Sequence, residues 1–466
     1  MSTWPLVLMG MLLAANAAGD LWGGGELPLP AWGLLSVVLG GKAAIGLVAA
    51  WVGRRAGLAG GTPRGVARAV ATLRRLQGLL LLSFAADLAL GWLGWVRSAV
   101  GDPVLVDEVI ALLPTLAGWW AVAMAGWPIE KRLRVSRLIG DLDRGQTLEI
   151  GDGWRAGGAW GAAAERARHE LVAVMVAVLA MVAWADVIVR VGWPPVGWLN
   201  GWAREAAVLA GGAALIVALP ALVRWTWRVT ALRSGALYDE LAETLRAAGV
   251  RRPRLLLWRA PGRVANAAVV GVVRGWRYVL VSEALVEGMA SMERRAVVAH
   301  EAGHVRHGHM AWLGVASAGL LLCGHGAGVA VAEAVEPAGS PNAAWWAAGA
   351  AISSWVVGFG WVSRRIERQA DADAVRLLSA VGSPTADDDA VEAMRSALQR
   401  VAELNGVSTR RWTWRHGSID QRRAALEALR GAALNRLPID RTVRRVQWAS
   451  AALLIAGIAW LTLGGP

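Results

Sequence analysis

His300-Glu301-Ala302-Gly303-His304 lies inside a charged, helix-competent stretch, Ser291 to Met310, set between long apolar segments. On a helix, residues four apart share a face, so both imidazoles can address one metal ion. Glu301 follows His300 by about 100° around the helix. It can therefore reach a water on such an ion without being a ligand. Two histidines and a glutamate also occur together on ordinary surface helices, so the remainder of the chain has to decide between the two readings. The position of this polar helix between apolar runs already points to a membrane protein with a water-facing reactive part.

Composition agrees with that placement. The chain has 466 residues, 56% of them hydrophobic, and a mean hydropathy of +0.42. Both exceed what soluble domains carry. The formal net charge is +13, and nearly all the basic residues are arginine, the lysines being Lys42 and Lys131. In a chain with many apolar spans such basicity reflects cytoplasmic loops rather than nucleic-acid binding. A single cysteine, Cys323, excludes intramolecular disulfides and thiolate zinc sites. With 28 Trp against two Tyr and two Phe, tryptophan supplies the interfacial aromatic belt.

About 20 apolar residues cross a bilayer. Segments of that kind lie near 4–20, 31–53, 77–97, 107–127, 171–191, 205–225, 311–332, 343–362 and 447–464. The loops at 54–76 and 128–170 and the stretch 226–310 are rich in arginine, whereas 21–30 and 333–342 carry acids and no Lys or Arg. Nine crossings with a cytoplasmic N-terminus put every basic loop inside. The first segment also has a small-residue motif, Ala15-Asn16-Ala17, like a signal-peptide cleavage site, but Met1 to Thr3 offers no basic leader. The expected organisation is a transmembrane region at 1–225, a first catalytic part at 226–310 and a membrane hairpin at 311–362. A second catalytic part at 363–446 and a last span at 447–466 complete it. Charged or ionisable residues inside spans, namely Lys42, Asp87, Asp186 with Arg190, and His325, are expected to pair internally or snorkel rather than to form a second site.

The second catalytic part opens with Ser363-Arg364-Arg365-Ile366-Glu367-Arg368-Gln369-Ala370-Asp371. Glu367 and Asp371 are four apart and share a helical face. Glu367 suits a third metal ligand, and Asp371 can accept the free ring N–H of a ligating histidine. The same spacing also fits an ordinary ion-paired helix, with Glu367 among Arg364, Arg365 and Arg368.

Taken together, these motifs resemble the membrane gluzincin metalloproteases that include the HtpX proteases and the CAAX-prenyl endopeptidases. That family shows H-E-x-G-H on one helix and S-R-x-x-E-x-x-A-D after a membrane hairpin, in the order found here. Tyr278 to Leu285 and Glu293 to His300 resemble the family's strand and helix before the motif, and Asn266-Ala267 its strand start. Arg415-His416-Gly417-Ser418-Ile419-Asp420-Gln421-Arg422 resembles its H-P-S-x-x-x-R element. The resemblance covers about 250 to 430; the six leading spans and the last one lie outside it. The chain departs from the pattern at Ala302, at Gly417 in place of proline, and at His309, where the family often has aspartate. His307 and His309 are expected to face solvent or lipid headgroups rather than to ligate.

The resemblance implies a mainly α, polytopic transmembrane fold with a split cytoplasmic zincin-like α+β catalytic domain containing a small β-sheet. It implies a zinc metalloendopeptidase with one Zn2+ per chain, ligated by His300, His304 and Glu367 with Asp371 behind them. Glu301 is then the general base, and His416 and Arg422 donate to or support the oxyanion. The implied partners are a peptide or membrane-protein substrate and the lipid bilayer of a bacterial cytoplasmic membrane, without nucleic acid. Substrate is expected to add as a strand to a hairpin formed by Val264 to Val270 and Arg277 to Ser282 around Arg274-Gly275. A site-two-type intramembrane protease is excluded by Glu293, Arg294, Arg295 and Arg306 around the motif. An antibiotic-sensing signal-transducer metalloprotease has Cys-Asp where this chain has Ala370-Asp371, and remains the enzyme alternative. A zinc-binding scaffold without turnover is the non-enzyme alternative, and the intact Glu301 speaks against it.

Overall fold

A computed structural model of the chain describes residues 8, 11, 29–58, 63–131, 158–191, 200–227, 229–259, 264–336, 343–380 and 382–463. Among these, six helices are long and apolar enough to cross a bilayer: Ala31–Gly57, Arg68–Ala89, Val106–Lys131, Gly158–Ile188, His309–Val335 and Pro438–Thr462. The expected span at 4–20 lies outside the described residues apart from Leu8 and Met11. The expected span at 77–97 is displaced: the helix stops at Ala89, the chain turns at Leu90 and Gly91, and a short helix starts at Trp92. Arg97, which would otherwise enter the apolar layer, lies on that short helix 2.7 Å from Asp107 and 3.3 Å from Glu108.

The chain divides into two compact units, Met1–Leu215 and Ile216–Pro466. The first contains helices α1 (Ala31–Leu58), α2 (Pro63–Ala89), α3 (Trp92–Val100), α4 (Val106–Ala125), α5 (Gly158–Ala167) and α6 (Ala173–Val191), and the start of α7 (Asn200–Thr226). Its core centres on Leu80, Phe84, Leu112 and Trp119, all fully or almost fully buried. Lys42 pairs with Asp87 and also donates to Ser83 Oγ at 2.6 Å. Arg190 pairs with Asp102 at 3.1 Å. Pairing of this kind removes bare charge from an apolar layer.

The second unit holds a four-stranded sheet of β1 (Val229–Leu232), β2 (Leu255–Trp258), β3 (Ala267–Val270) and β4 (Tyr278–Ser282), in the order β1-β2-β4-β3. The expected hairpin is present, β3 running antiparallel to β4 with Val269 opposite Val279. β3 is therefore an edge strand. Its pairing alternates: Asn266 accepts from Ser282 N, so Ala267 and Val269 turn their N–H and C=O groups to the open side.

Helix α8 (Ala236–Ala247) and the short α9 (Glu283–Gly288) flank the sheet, followed by α10 (Ser291–Arg306) and α11 (His309–Val335). Next come α12 (Ala343–Leu378), α13 (Asp388–Leu404), α14 (Ile419–Glu427) and α15 (Pro438–Leu463). In α13 the buried positions Ala390, Val391, Met394, Ala397 and Leu398 recur at helical spacing and face a core that also holds Leu245, Val281, Leu285, Val298 and Val375. α12 is one unbroken helix of 36 residues, about 54 Å long at 1.5 Å per residue. The expected hairpin arm 343–362 and the Glu367 segment are thus a single rigid rod. α11 packs along α12 and α15, and α10 packs across α12.

Candidate metal centre

Two helices cross to build the site. Gly303 of α10 faces Ala370 and Asp373 of α12, and a Cβ on Gly303 would lie 3.3 Å from both Ala370 Cα and Asp373 Cβ. Ala370 itself is fully buried. Small residues at both points let the backbones approach, which brings the His300-His304 face against the Glu367-Asp371 face.

One ligand atom from each of His300, His304 and Glu367 lies within 4.8 Å of the others. The two imidazole Nε2 atoms are 3.3 Å apart. Glu367 Oε2 is 3.6 Å from His300 Nε2, and Oε1 is 3.8 Å from His304 Nε2. Bonds of about 2.0–2.2 Å in a tetrahedral arrangement require donor atoms about 3.3–3.6 Å apart. Two of the three separations fall in that range and the third, at 3.8 Å, lies just above it, so the His-His-Glu donor set suits a tetrahedral divalent ion of the zinc type.

The polar groups behind the ligands set their charge. His300 Nδ1 is 2.9 Å from Asp371 Oδ1. Arg422 donates through Nε and Nη2 to both oxygens of Asp371, at 2.8 and 2.6 Å, and its Nη1 is 3.5 Å from Glu367 Oε2. Burial opposes the charge on Asp371, but the Arg422 guanidinium prevails and holds the carboxyl at about 2. Burial likewise works against a charged His300, yet the hydrogen bond with Asp371 leaves its pKa raised. His304, buried beside His300 and without an acid behind it, is pushed down to about 3. Burial opposes ionisation of Glu367 too, but His416 and Arg422 hold it well below the ordinary carboxylate range.

Glu301 points to the edge strand: its Oε2 accepts from Val269 N at 3.1 Å. Burial pushes its carboxyl up to about 7. A cleft of about 100 Å³ lies between Val269, Gly271 and Val272 on one side and His304, Val305 and Met310 on the other.

His416 sits on a loop fastened to α12. Arg364 donates to Trp414 O at 2.7 Å, Trp414 Nε1 donates to Val356 O at 2.6 Å, and Trp414 packs on Phe359 with ring centroids 5.5 Å apart. This loop places His416 Nδ1 at 3.0 Å from Glu367 Oε1 while the side chain stays 46% exposed. The glycine found in place of proline has a physical reason here. Gly417 has φ 74°, and its N–H donates to Thr413 O at 2.9 Å; proline permits neither. Ser418 then caps α14 by accepting from Gln421 N, which aims Arg422 at Asp371.

The structure thus brings together all seven residues singled out in the sequence: His300, Glu301, His304, Glu367, Asp371, His416 and Arg422. It differs over His309. Instead of facing solvent or headgroups, His309 is fully buried, because the chain turns at Gly308 and starts α11 against the back of the site. His309 Nδ1 lies 2.9 Å from His304 Nδ1, and its Nε2 lies 3.0 Å from Gln369 Oε1. Gln369 and Asp440, which hydrogen-bond one another at 2.8 Å, carried no recognisable pattern in the sequence. The signal that pointed to this side of the site was the histidine standing where related proteins often have aspartate.

The sequence model of Peptidase family M48 matches residues 231–430. Among curated proteins, Protease HtpX of Chromohalobacter salexigens is 39% identical over 77 residues, 16% of this chain and 25% of that protein. Protease HtpX of Acinetobacter baylyi is 29% identical over 218 residues, 41% of this chain and 71% of that protein. Protease HtpX of Pseudomonas paraeruginosa is 30% identical over 182 residues, 37% and 58% of the two chains. The chain spans a quarter of the length of the first of these relatives. The crystal structure of S. mikatae Ste24p aligns with 86% of this chain and 100% of its own, at 13% identity and a TM-score of 0.47.

Proposed function

We propose that this protein, whose residues 231–430 match Peptidase family M48, is a zinc-dependent endopeptidase of the HtpX type. In this reading it hydrolyses peptide bonds of membrane or membrane-proximal proteins at the cytoplasmic face of the membrane. The observation that carries the reading is the convergence of His300, His304 and Glu367, with Glu301 directed at an open strand edge. The cytoplasmic side follows from arginine-rich loops alone.

When bound, zinc would supply Lewis-acid activation of water and of the scissile carbonyl. The chain's own residues do the rest. Ala267 and Val269 offer outward backbone groups to an extended substrate, which adds beside β3 as a fifth strand without demanding a side-chain sequence. Val269 N, the donor to Glu301, lies on this same edge, so an arriving peptide competes for the group that holds the base. A carboxyl tuned near neutrality suits a general base: Glu301 takes the proton of the attacking water and returns it to the leaving amine. His416 reaches the reacting centre from a half-exposed loop. With its Nδ1 held 3.0 Å from Glu367 Oε1, its Nε2 is the ring nitrogen left for a developing oxyanion. Arg422 acts through Asp371 and Glu367, keeping both ionised.

The test compares the full chain, purified in detergent, with Glu301→Gln. The variant should keep its zinc and lose peptide cleavage by about 10²–10⁴-fold, the worth of a positioned base. Cleavage by the variant at the parent rate would refute the proposal. Zinc binding by the parent with no cleavage of any of a broad set of unfolded proteins would favour the scaffold reading instead.

A further inference from the structure

We infer that His309 is a positioning residue: through a buried chain running His304–His309–Gln369–Asp440, it fixes which nitrogen of His304 is free to bind a metal. The inference rests on the metal-site reading above. It follows from hydrogen-bond bookkeeping along four side chains from four helices, none of which reaches the metal position except His304.

Asp440, at the start of α15, is ion-paired with Arg376 Nη2 at 2.8 Å, so its carboxylate can only accept. The atom of Gln369 that lies 2.8 Å from Asp440 Oδ1 is therefore the amide NH2. That leaves Gln369 Oε1, an acceptor, facing His309 Nε2 at 3.0 Å. Nε2 of His309 must carry the hydrogen. Its Nδ1 then holds a lone pair and accepts from His304 Nδ1 at 2.9 Å. His304 consequently carries its hydrogen on Nδ1 and presents the Nε2 lone pair, and Nε2 is the atom 3.3 Å from His300 Nε2 and 3.8 Å from Glu367. The opposite assignment would set two lone pairs against each other at Gln369. His309 is fully buried and Gln369 nearly so, so water does not readily replace a link.

An aspartate at position 309 could only accept, and would orient His304 unaided. A histidine can donate or accept, so it needs a second residue to decide which nitrogen faces His304. Gln369 makes that decision, and Asp440 decides for Gln369.

The test measures zinc affinity of the full-length protein in detergent by competition with a chromophoric chelator. The variants are His309→Leu, His309→Asn and Gln369→Met, with Glu367→Ala as control. Loss of a partner behind a ligand typically weakens metal binding by about 10–100-fold, and His309→Leu should fall in that range. His309→Asn, whose Oδ1 can accept from His304 Nδ1, should recover most of the loss. Gln369→Met should lose less than His309→Leu, because the ring remains while its orientation is no longer fixed. Parent-like affinity in folded His309→Leu, or equal losses for Leu and Asn, would overturn the inference. A parent that binds no zinc, or a Glu367→Ala variant that binds as tightly as the parent, would instead overturn the metal site itself. Melting of the metal-free variants separates folding from binding, and His309→Asn keeps the test decisive should the leucine variant not fold.

Discussion

His300 and His304 stand one helical turn apart on the same face, yet the groups behind them are of opposite kinds. Behind His300 stands an ionic pair, Asp371 clamped at two points by Arg422. Behind His304 stands a neutral imidazole, with the nearest carboxylate two links away at Asp440. The first arrangement gains its strength from charge and depends on burying charges in balance. The second acts through direction alone. Removing a member of the ionic side should therefore disturb the fold as well as the ion, whereas the neutral side should affect the ion chiefly.

The largest effect is expected from Arg422→Met. It strands Glu367 and Asp371 as buried carboxylates, and breaking a buried charge pair costs about 3–5 kcal/mol. Thermal unfolding of the metal-free protein should show it, and a cost as small as that of a surface ion pair would dissolve the distinction between the two sides. Gly303→Val comes next. With Ala370 and Asp373 already 3.3 Å from a bare Cβ, forcing α10 and α12 apart should cost about 1–3 kcal/mol. It should also weaken zinc binding, since it moves both imidazoles together; unchanged affinity would show that the crossing does not set the site.

Asp371→Asn keeps an acceptor for His300 but removes the charge, and zinc affinity should fall by about 10–100-fold. The same substitution has a pH signature. Asp371 sits at about 2 against an ordinary 3.8. A depressed acid stabilises the fold above its unfolded value, and that stabilisation is lost as pH falls through the folded value. Metal-free parent protein should thus lose stability between pH 3.8 and 2, and Asp371→Asn should lose less across that interval. Asp440→Asn should have the smallest effect, a zinc affinity lowered by less than the roughly tenfold minimum expected of a group directly behind a ligand. A loss as large as that for Asp371→Asn would mean that charge at Asp440, and not direction, is what reaches His304.

The ionic side was legible in the sequence and the neutral side was not, for a physical reason. Glu367 and Asp371 share a helical face by spacing alone, and Arg422 follows a capping serine in a recognisable element, so local rules carry them into place. The kinship with HtpX-type proteases read from His300–His304 and Ser363–Asp371 is borne out over residues 231–430. The burial of His309 has no local signature, because it depends on the turn at Gly308 and on where α12 and α15 pass behind it. Gln369 and Asp440 are 71 residues apart, and no short-range pattern links them. The break at Leu90-Gly91 is hidden in the sequence, because Trp92, Leu93, Trp95 and Val96 prolong the apolar run beyond the place where the backbone turns. The continuity of α12 is hidden in the same way, because its polarity changes at Ser363 while its helix does not.

The central claim is that a divalent ion is held jointly by two imidazoles of α10 and a carboxylate of α12. Zinc content per chain, measured on the purified full-length protein and on Glu367→Ala at matched chelator concentration, tests it most directly. The account predicts one zinc per parent chain and almost none in the variant. A variant that retains the parent's full zinc content would contradict it.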